Sequence, residues 1–197
     1  MVKHQVPTTL KIGETGFGTG LNFLISAYHW LQITDLKCTL EYTSVERYPL
    51  KKSHLQRVYT TFTQQWPQLQ TCCAEFLAQY PDNFDGTSRQ LQFELFDQKI
   101  RLNLLIDDAT EGLKQLLPTH KSTIDAWYLD GFAPNRNPEM WQSELFAAVA
   151  KLSKPGTTLS TFTAAGHVRR GLIEAGFDMH RAPGLGKKRE ILFGVRK

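Results

Sequence analysis

Cysteine is scarce in this chain of 197 residues, which has only Cys38 and the adjacent Cys72 and Cys73. An odd number of cysteines without the spacing of zinc ligands argues against a disulfide framework and predicts no metal site. Unpaired cysteines are typical of a reducing compartment. No apolar run approaches the ~20 residues that a transmembrane helix needs, and residues 1–7 lack the apolar core of a signal peptide. We therefore expect a cytoplasmic protein that binds neither a membrane nor a metal.

Charge is unevenly distributed along the chain. The net charge is +4, and 41% of the residues are apolar, an ordinary balance for one globular domain. Residues 151–197 hold ten Lys and Arg against three acidic residues, whereas the residues before them hold 13 basic and 16 acidic residues. Such asymmetry is typical of a protein that binds a polyanion such as RNA. A basic surface that only aids solubility would look the same, so charge alone leaves both interpretations open.

Short apolar runs alternate with segments of helical period, and this alternation predicts a parallel α/β sheet. We expect parallel strands at residues 9–14, 40–46, 101–106, 124–129 and 157–162. We expect helices at residues 21–31, within 51–80, at 110–117, 138–152 and 166–175. The helix at 138–152 has the clearest signals, with Asn137 as its N-cap, Pro138 at the first helical position and a stop at Lys154-Pro155-Gly156.

A glycine-rich loop joins the first predicted strand to the first helix: Glu14-Thr15-Gly16-Phe17-Gly18-Thr19-Gly20. Glycines at such a turn let the backbone approach a ligand closely. A dinucleotide site would need a third glycine or alanine where Leu21 stands, and no Gly-Lys-Ser/Thr follows to make a P-loop. Because Glu14 would also repel a phosphate, the loop favours a cationic cofactor without phosphate, S-adenosylmethionine. The alternative is a tight connection without a ligand. The residues that we expect at the cofactor are Glu14, Gly16, Phe17, Gly18 and Gly20.

Two further segments predict antiparallel strands. Residues 91–96 and the strand at 101–106 are joined by a short turn, which indicates a hairpin. Residues 177–181 and 190–195 have no helix between them and so must also be antiparallel. A mostly parallel, seven-stranded, Rossmann-like α/β sheet with a C-terminal antiparallel hairpin is the organisation of the class I S-adenosylmethionine-dependent methyltransferases. This is the fold class that we predict.

Acidic residues also end the second and third predicted strands. Ligands of open α/β sheets bind at the carboxyl ends of the strands, where Glu46 can accept hydrogen bonds from both ribose hydroxyls. Asp107 and Asp108 are placed to accept from the adenine amino group or to line its pocket. The alternatives are a solvated strand end for Glu46 and a helix N-cap for Asp108.

Asp130 ends the fourth parallel strand and precedes a turn that presents Phe132 and Pro134. The segment is similar to the loop of an acid or amide, a proline and an aromatic residue with which amino-methylating enzymes hold a nitrogen against a sulfonium methyl group. Asp130 can accept a hydrogen bond from an amine and orient it, but its charge favours the ammonium form, which cannot attack. We therefore expect Asp130 to orient the amine and to accept a proton late in the step. The alternative is an acid that stabilises the turn or contacts only the cofactor.

Five segments carry a resemblance to a known family, in order over nearly the whole chain: residues 14–23, 44–50, 125–141, 161–171 and 186–190. The most specific is the third, with Asp-Gly-Phe-Ala-Pro followed by Asn-Pro-x-Met-Trp. Together they resemble the methyltransferase half of the bifunctional MnmC family. The resemblance implies a tRNA (5-aminomethyl-2-thiouridylate) methyltransferase, which uses S-adenosylmethionine to methylate the aminomethyl nitrogen on a (2-thio)uridine at the wobble position.

The resemblance also implies roles for exposed residues in binding tRNA. Phe132 is expected to stack on the target base, since aromatic faces often hold the bases of single-stranded loops. Phosphate contacts position an RNA rather than specify its sequence. The basic residues expected to make such contacts with the anticodon arm are Arg169, Arg170, Lys187, Lys188 and Arg189. The alternative for all five is an ordinary solvated surface.

Members of this family carry a leading segment before the first strand, and bifunctional members continue into a flavin-dependent oxidase domain. We expect residues 1–197 to form a single methyltransferase domain without either part, and the short N-terminus to limit its activity. An FAD-dependent oxidase in a separate chain would then be a partner. Two other functions remain open: a methyltransferase for another amine, in a small molecule or a protein, and an RNA-binding relative without catalysis.

Overall fold

A computed structural model describes residues 9–33, 38–84, 89–184 and 190–197, which form one eight-stranded sheet with helices on both faces. The strands are β1 (Thr9–Thr15), β2 (Thr39–Val45), β3 (Gln90–Leu95), β4 (Ile100–Leu105), β5 (Ile124–Leu129), β6 (Ser153–Thr161), β7 (Phe177–Pro183) and β8 (Glu190–Arg196). The helices are α1 (Leu21–Ile33), α2 (Lys52–Gln65), α3 (Gln70–Gln79), α4 (Ala109–His120), α5 (Ser143–Leu152) and α6 (Gly166–Glu174). Two short 3₁₀ turns lie at Pro67–Leu69 and Pro138–Trp141. Within these described ranges, no helix has the length and apolar character needed to cross a membrane.

The strands lie in the order β3, β4, β2, β1, β5, β6, β8, β7. Strands β4, β2, β1, β5 and β6 run parallel, whereas β3 is antiparallel to β4 and β8 is antiparallel to both β6 and β7. The predicted fold class, a mostly parallel sheet with a C-terminal antiparallel hairpin, is confirmed, and the antiparallel strand predicted at residues 91–96 is β3, which makes the sheet eight-stranded rather than seven-stranded. Strands β2, β4 and β3 lie on one side of β1, and strands β5 to β8, which follow them in the sequence, lie on the other side. Ligands of open α/β sheets bind in the crevice at such a reversal of strand order.

Each face of the sheet has its own apolar core. Helices α1, α2 and α3 cover one face, where the Phe23 ring packs edge to face on Phe76 and on Tyr42. Helices α4, α5 and α6 cover the other face, where the buried Trp127 donates from Nε1 to Ser153 Oγ at 2.9 Å. Because both faces are packed, the central strands and the positions of their carboxyl ends are fixed from two sides.

The helix predicted over residues 138–152 is wrong in its extent. The structure has a 3₁₀ turn followed by α5, and the Asn137 side chain makes no capping hydrogen bond. Burial of Trp141 explains the interruption, because its Nε1 donates to the Phe132 carbonyl at 2.9 Å and holds the 3₁₀ turn against the loop after β5. The predicted continuous helix would lack this attachment.

The predicted end of this helix is confirmed, because α5 ends at Leu152, but β6 begins at Ser153 rather than at the predicted residue 157, so Lys154-Pro155-Gly156 lies inside β6. The pairing of β5 with β6 shifts register here, the Lys154 N–H donates to Thr157 Oγ1 at 3.0 Å, and Gly156 has a φ of +86°. Such an irregularity takes Pro155, which has no N–H to donate, out of the regular ladder.

Glu14 is buried near the end of β1, with 1% of its surface exposed. Asn22 Nδ2 donates to Oε1 at 3.0 Å, and Ser44 Oγ donates to Oε2 at 2.7 Å. Burial raises the pKa of this carboxyl from 4.5 to about 8; the two hydrogen bonds oppose the rise, and the negative charge of Asp130 adds to it. The carboxyl is therefore mostly protonated at neutral pH.

The raised pKa of Glu14 predicts a pH-dependent stability. Between pH 5 and 8 the unfolded chain has released this proton while the folded chain retains it, so the free energy of unfolding falls as the pH rises. Glu14→Gln keeps the shape of the side chain but removes the titration. Relative to this variant, the parent should lose up to about 1.4 kcal/mol of stability per pH unit in that window. Urea denaturation at several pH values measures the difference.

Glu174 provides the matched control, because it is exposed on α6. Glu174→Gln should leave the pH dependence of stability close to that of the parent. Parallel stability curves for the parent and Glu14→Gln would contradict the raised pKa.

Candidate active site

The carboxyl ends of β1 and β5 lie side by side at the reversal of strand order, and two hydrogen bonds join them. The Asp130 N–H donates to the Thr15 carbonyl at 3.1 Å, and Thr15 Oγ1 donates to the Asp130 carbonyl at 2.9 Å. The next residue, Gly16, has no room for a side chain, since a Cβ there would lie 3.0 Å from the Asp130 carbonyl oxygen. The glycine loop and Asp130 are therefore held in contact.

The loop after β1 depends on three glycines with φ between 53° and 77°: Gly16, Gly18 and Gly20. A Cβ on Gly20 would meet the Phe17 ring at 2.7 Å, whereas a Cβ on Gly18 would meet nothing within 4 Å. The loop thus presents bare backbone to open space at Gly18. Phe17 is 4% exposed and packs against Phe23, so its side chain anchors the loop in the apolar core and is not available to a ligand.

Glu46 links the loops after β1 and β2. Its Oε2 accepts from the Gly18 N–H at 2.9 Å, and its Oε1 accepts from the Tyr48 N–H at 2.8 Å. Each oxygen keeps a second lone pair, and the side chain is half-buried. The carboxylate therefore stands beside the open backbone of Gly18, where it can accept hydrogen bonds from a pair of hydroxyls.

Asp107 and Asp108 follow β4 at the same edge of the sheet. Asp108 caps α4, since its Oδ1 accepts from the Thr110 N–H at 3.0 Å; its Oδ2 lies 3.8 Å from the Arg47 guanidinium. Asp107 accepts from the Asp108 N–H and, through Oδ2, from Gln115 Nε2 at 2.8 Å. The N-cap interpretation of Asp108 is thus confirmed, and both carboxylates remain partly exposed at the edge.

Two donors hold the Asp130 side chain. The Gly131 N–H donates to Oδ1 at 2.8 Å, and Asn22 Nδ2 donates to Oδ2 at 3.3 Å while also donating to Glu14. Sequence reasoning missed Asn22; its signal is an amide side chain in the first turn of α1, directly after the glycine loop. It also predicted Glu14 at the cofactor; in the structure this carboxyl is buried and is joined to Asp130 through Asn22.

A cavity of about 240 Å³ opens beside Asp130. It lies between the loops that follow β5 and β6. Its lining consists of Leu129, Asp130, Gly131, Ala133, Trp141, Thr161, Phe162 and Thr163. Phe132, expected to stack on a substrate, does not line the cavity, and its side chain is 67% exposed.

The predicted basic contacts differ in their surroundings. Arg169 is half-buried and donates from Nη2 to the Met179 carbonyl at 3.1 Å, so part of its guanidinium supports the packing of α6 on β7. Arg170 is exposed on α6. Lys187, Lys188 and Arg189 lie outside the described residues. In the part of the chain that the structure describes, no group of three His, Cys, Asp or Glu side chains is placed to hold a metal ion.

The carboxyl edge of the sheet therefore brings together the open backbone of Gly18, the carboxylates of Glu46, Asp107 and Asp108, and the cavity at Asp130. Such an edge can hold a nucleoside-bearing ligand on one side of the β1–β5 crevice and a small acceptor on the other.

Proteins with established names are similar to this chain over nearly its whole length. The "tRNA 5-methylaminomethyl-2-thiouridine biosynthesis bifunctional protein MnmC" of Pseudomonas entomophila (strain L48) is 48% identical over 186 residues, which are 94% of this chain and 27% of that protein. The protein of the same name from Stutzerimonas stutzeri (strain A1501) is 49% identical over 190 residues, 96% of this chain and 27% of that protein. The resemblance expected from the motifs is confirmed, and the chain spans about a quarter of the length of these relatives.

A solved structure, that of MNMC2 from Aquifex aeolicus, superposes with a TM-score of 0.68 at 20% identity and covers 97% of this chain and 54% of that one. At this identity the likeness supports the fold. A family model described as S-adenosyl-L-methionine-dependent methyltransferase matches residues 67–197, about two thirds of the chain. By this match and by its fold, the chain belongs to the family of S-adenosyl-L-methionine-dependent methyltransferases.

Proposed function

We propose that this chain transfers a methyl group from S-adenosylmethionine to the nitrogen of a 5-aminomethyl group on (2-thio)uridine at the wobble position of tRNA. Membership of the family makes S-adenosylmethionine the cofactor. The choice of acceptor rests on the relatives named for 5-methylaminomethyl-2-thiouridine biosynthesis in tRNA. The observation that carries the proposal is the position of Asp130, between the glycine loop and the cavity.

The residues at the carboxyl edge fit this cofactor. Gly18 leaves open space above its backbone, and Glu46 beside it can accept from both ribose hydroxyls. Asp107 and Asp108 are the acceptors proposed for the adenine amino group. When bound, the cofactor would supply a sulfonium methyl group, whose carbon an amine lone pair can attack in line while the sulfur leaves as a neutral thioether. The chain itself has mainly to position the two reactants, and proximity contributes on the order of 7 to 11 kcal/mol.

Asp130 is proposed as the residue that orients the amine. The Gly131 N–H holds one carboxylate oxygen and the Asn22 amide holds the other, so the remaining lone pairs have fixed directions. A neutral amine that donates an N–H to Asp130 directs its own lone pair away from the carboxylate, where it is free to attack. The nitrogen becomes positively charged as its new bond to carbon forms, and the carboxylate then accepts one of its protons.

The tRNA is proposed to lie over the same edge. Phe132 presents an exposed ring on the loop that follows Asp130, and Arg170 presents an exposed guanidinium on α6. The residues 187–189 add three positive charges between β7 and β8. These groups, with the remaining donors of Arg169, are the proposed phosphate and base contacts of the anticodon arm.

The acceptor must reach this site already as an aminomethyl group. The matched relatives are named as bifunctional proteins, and this chain corresponds to about a quarter of their length. We propose that a flavin-dependent oxidase removes the preceding carboxymethyl group, either in a further part of the same protein or in a separate partner chain.

The cofactor site predicts the effects of two substitutions. Gly18→Val should abolish most binding of S-adenosylmethionine, because its side chain would occupy the open space at the loop. Glu46→Ala should weaken binding by about 1 to 3 kcal/mol, the cost of losing hydrogen bonds to a charged group. Isothermal titration calorimetry measures both dissociation constants.

Valine at a left-handed residue is strained wherever it stands, so Gly18→Val needs a matched control. Gly156 has a φ of +86° and, like Gly18, open space beyond its Cα, but it lies at the start of β6, away from the loop. Gly156→Val should be destabilised similarly and bind the cofactor normally. If both glycine variants lose the same affinity for S-adenosylmethionine, or if Gly18→Val binds it normally, the loop is not part of the cofactor site.

The role of Asp130 predicts a loss of rate with little loss of binding. Asp130→Asn should reduce the single-turnover rate of tRNA methylation by a factor on the order of 100 or more, since the variant cannot accept a proton. The affinities for tRNA and cofactor should change little, because the interaction matters most in the transition state. Rapid-quench measurement of methyl transfer over a range of pH tests this.

A double variant separates chemistry from geometry at Asp130. In Asp130→Asn, one orientation of the new amide brings its NH₂ against the Asn22 amide, which is also a donor. Adding Asn22→Asp restores a donor and acceptor pair at that contact but no carboxylate at position 130, and the mostly protonated Glu14 carboxyl, which accepts from Asn22 in the parent, can donate to the new acid. The double variant should stay slow; recovery of the parent rate would show that Asp130 serves only to hold the loop.

The basic segment between β7 and β8 predicts a salt dependence of tRNA binding. Replacing Lys187, Lys188 and Arg189 together with Gln should flatten the slope of log K against log salt by about 0.9 for each duplex phosphate that is no longer neutralised, and by less on single strands. The control replaces Lys121, Lys151 and Lys197 with Gln, three lysines that line a separate cleft at the amino edge of the sheet. Equal slopes for the two triple variants would show that residues 187–189 are only a solvated turn.

A further inference from the structure

The cavity beside Asp130 has one half-exposed aromatic side chain in its wall, and this is Phe162 rather than Phe132. Phe162 is 47% exposed although it is large and apolar. Trp141 also lines the cavity but is buried and holds the Phe132 carbonyl through its indole N–H. A ligand that enters the cavity therefore meets the ring of Phe162.

The ends of β5 and β6 bring Asp130 and Phe162 to the same cavity. The last paired residues of these parallel strands are Tyr128 and Ser160, and each strand ends one residue later. Asp130 and Phe162 are the first residues after the two strands, and both line the cavity.

The backbone around Phe162 is held in place. Thr161 is buried, and its Oγ1 accepts from the Thr163 N–H at 3.3 Å. Thr163 Oγ1 in turn accepts from the Ala165 N–H at 3.3 Å, just before α6 begins. The ring of Phe162 is therefore carried by a fixed turn, which suits a preformed contact surface better than a mobile loop.

The size of the cavity limits what can bind there. At about 240 Å³ it is smaller than the roughly 300 to 1,000 Å³ of pockets for drug-sized ligands. Such a volume admits a single pyrimidine ring with a short substituent, with its sugar and phosphate left outside. The apolar surfaces of Phe162 and Ala133 on opposite loops suit a flat ring, and the Asp130 carboxylate lies at the edge of the same space.

We propose that Phe162 is the stacking platform for the target pyrimidine, and that stacking on it brings the 5-substituent of the base to Asp130. This inference rests on the proposed function, since it assigns the base-binding part of the same site. The target nucleotide must leave its own stack to enter the cavity, as bases do when an enzyme modifies them. Phe132, which does not line the cavity, then contacts the RNA next to the target base.

Stacking on Phe162 also determines which class of amine acceptor the site favours. A ring that stacks is held in one plane with its 5-substituent at a fixed place, whereas a flexible alkyl amine gains no such orientation. The site therefore favours amines attached to a planar base over free aliphatic amines, although Asp130 alone would accept either.

The test measures kcat/KM for tRNA that carries an unmethylated 5-aminomethyl wobble base. Phe162→Ala and Phe162→Leu should each lower it by roughly 5- to 150-fold, the range that corresponds to losing one stack of a base on an aromatic ring. Phe162→Tyr keeps the ring and should stay within about threefold of the parent, well below the loss of a stack. Calorimetry should give all three variants the parent affinity for S-adenosylmethionine.

Two control variants locate the effect. Phe193→Ala removes a similarly exposed phenylalanine, at 41%, from the neighbouring strand β8, but Phe193 does not line the cavity, so kcat/KM should not change. Phe132→Ala should cost less than Phe162→Ala. If Phe162→Ala matches the parent, or if Phe162→Leu retains full activity, the stacking role is wrong.

The outcomes separate this inference from the proposed function. A parent chain that binds S-adenosylmethionine but does not methylate this tRNA contradicts the proposed function and the inference with it. A parent chain that methylates the tRNA, combined with a Phe162→Ala variant of equal kcat/KM, contradicts the inference alone.

Discussion

The paired hydrogen bonds between Thr15 and Asp130 hold together the two halves of the candidate site. They join the last residue of β1 to the residue after β5, at the place where the strand order reverses. On one side of this junction the chain forms the glycine loop, and on the other it forms the cavity. A displacement of either strand end would separate the proposed cofactor and acceptor sites, and misplacement of about 1 Å can cost a hundredfold in rate.

A second constraint lies beneath the junction. Glu14 is an acid in the interior of the sheet, and burial there raises the pKa of its carboxyl to about 8. Such a group is tolerated because Asn22 and Ser44 satisfy its oxygens. The same Asn22 amide reaches Asp130, so a buried, mostly neutral carboxyl and a partly exposed one share a donor. The protein thus places its polar groups in a chain that runs from the core to the cavity.

The fold could be predicted from the sequence because its signals are local. Alternating apolar runs and helical periods located every strand of the sheet, and the terminal strands without an intervening helix had to be antiparallel. The helix over 138–152 failed because burial of Trp141, a tertiary contact, overrides a good N-terminal signal at Asn137 and Pro138. The start of β6 was predicted at residue 157 instead of Ser153 for a similar reason, since the register shift between β5 and β6 is not local.

The candidate site was predictable only to the level of strand ends. Sequence position predicted Glu46 and Asp130 at the carboxyl edge of the sheet, where the structure also has them, but it could not show that Glu14 is buried or that Asn22 connects it to Asp130. It also favoured Phe132 as the aromatic contact, because that ring follows Asp130 in the chain. Phe162, which follows β6, lines the same cavity as Asp130, and the position of β6 next to β5 depends on packing of the whole sheet.

The most direct test of the account is the identity of the methylated nucleoside. The chain would be incubated with S-adenosylmethionine and tRNA that carries 5-aminomethyl at the wobble uridine, and the tRNA would be digested to nucleosides and analysed by mass spectrometry. The account predicts that the wobble nucleoside gains one methyl group on its aminomethyl nitrogen. Methylation of a different nucleoside, or no methylation by a chain shown to bind both S-adenosylmethionine and the tRNA, would contradict it.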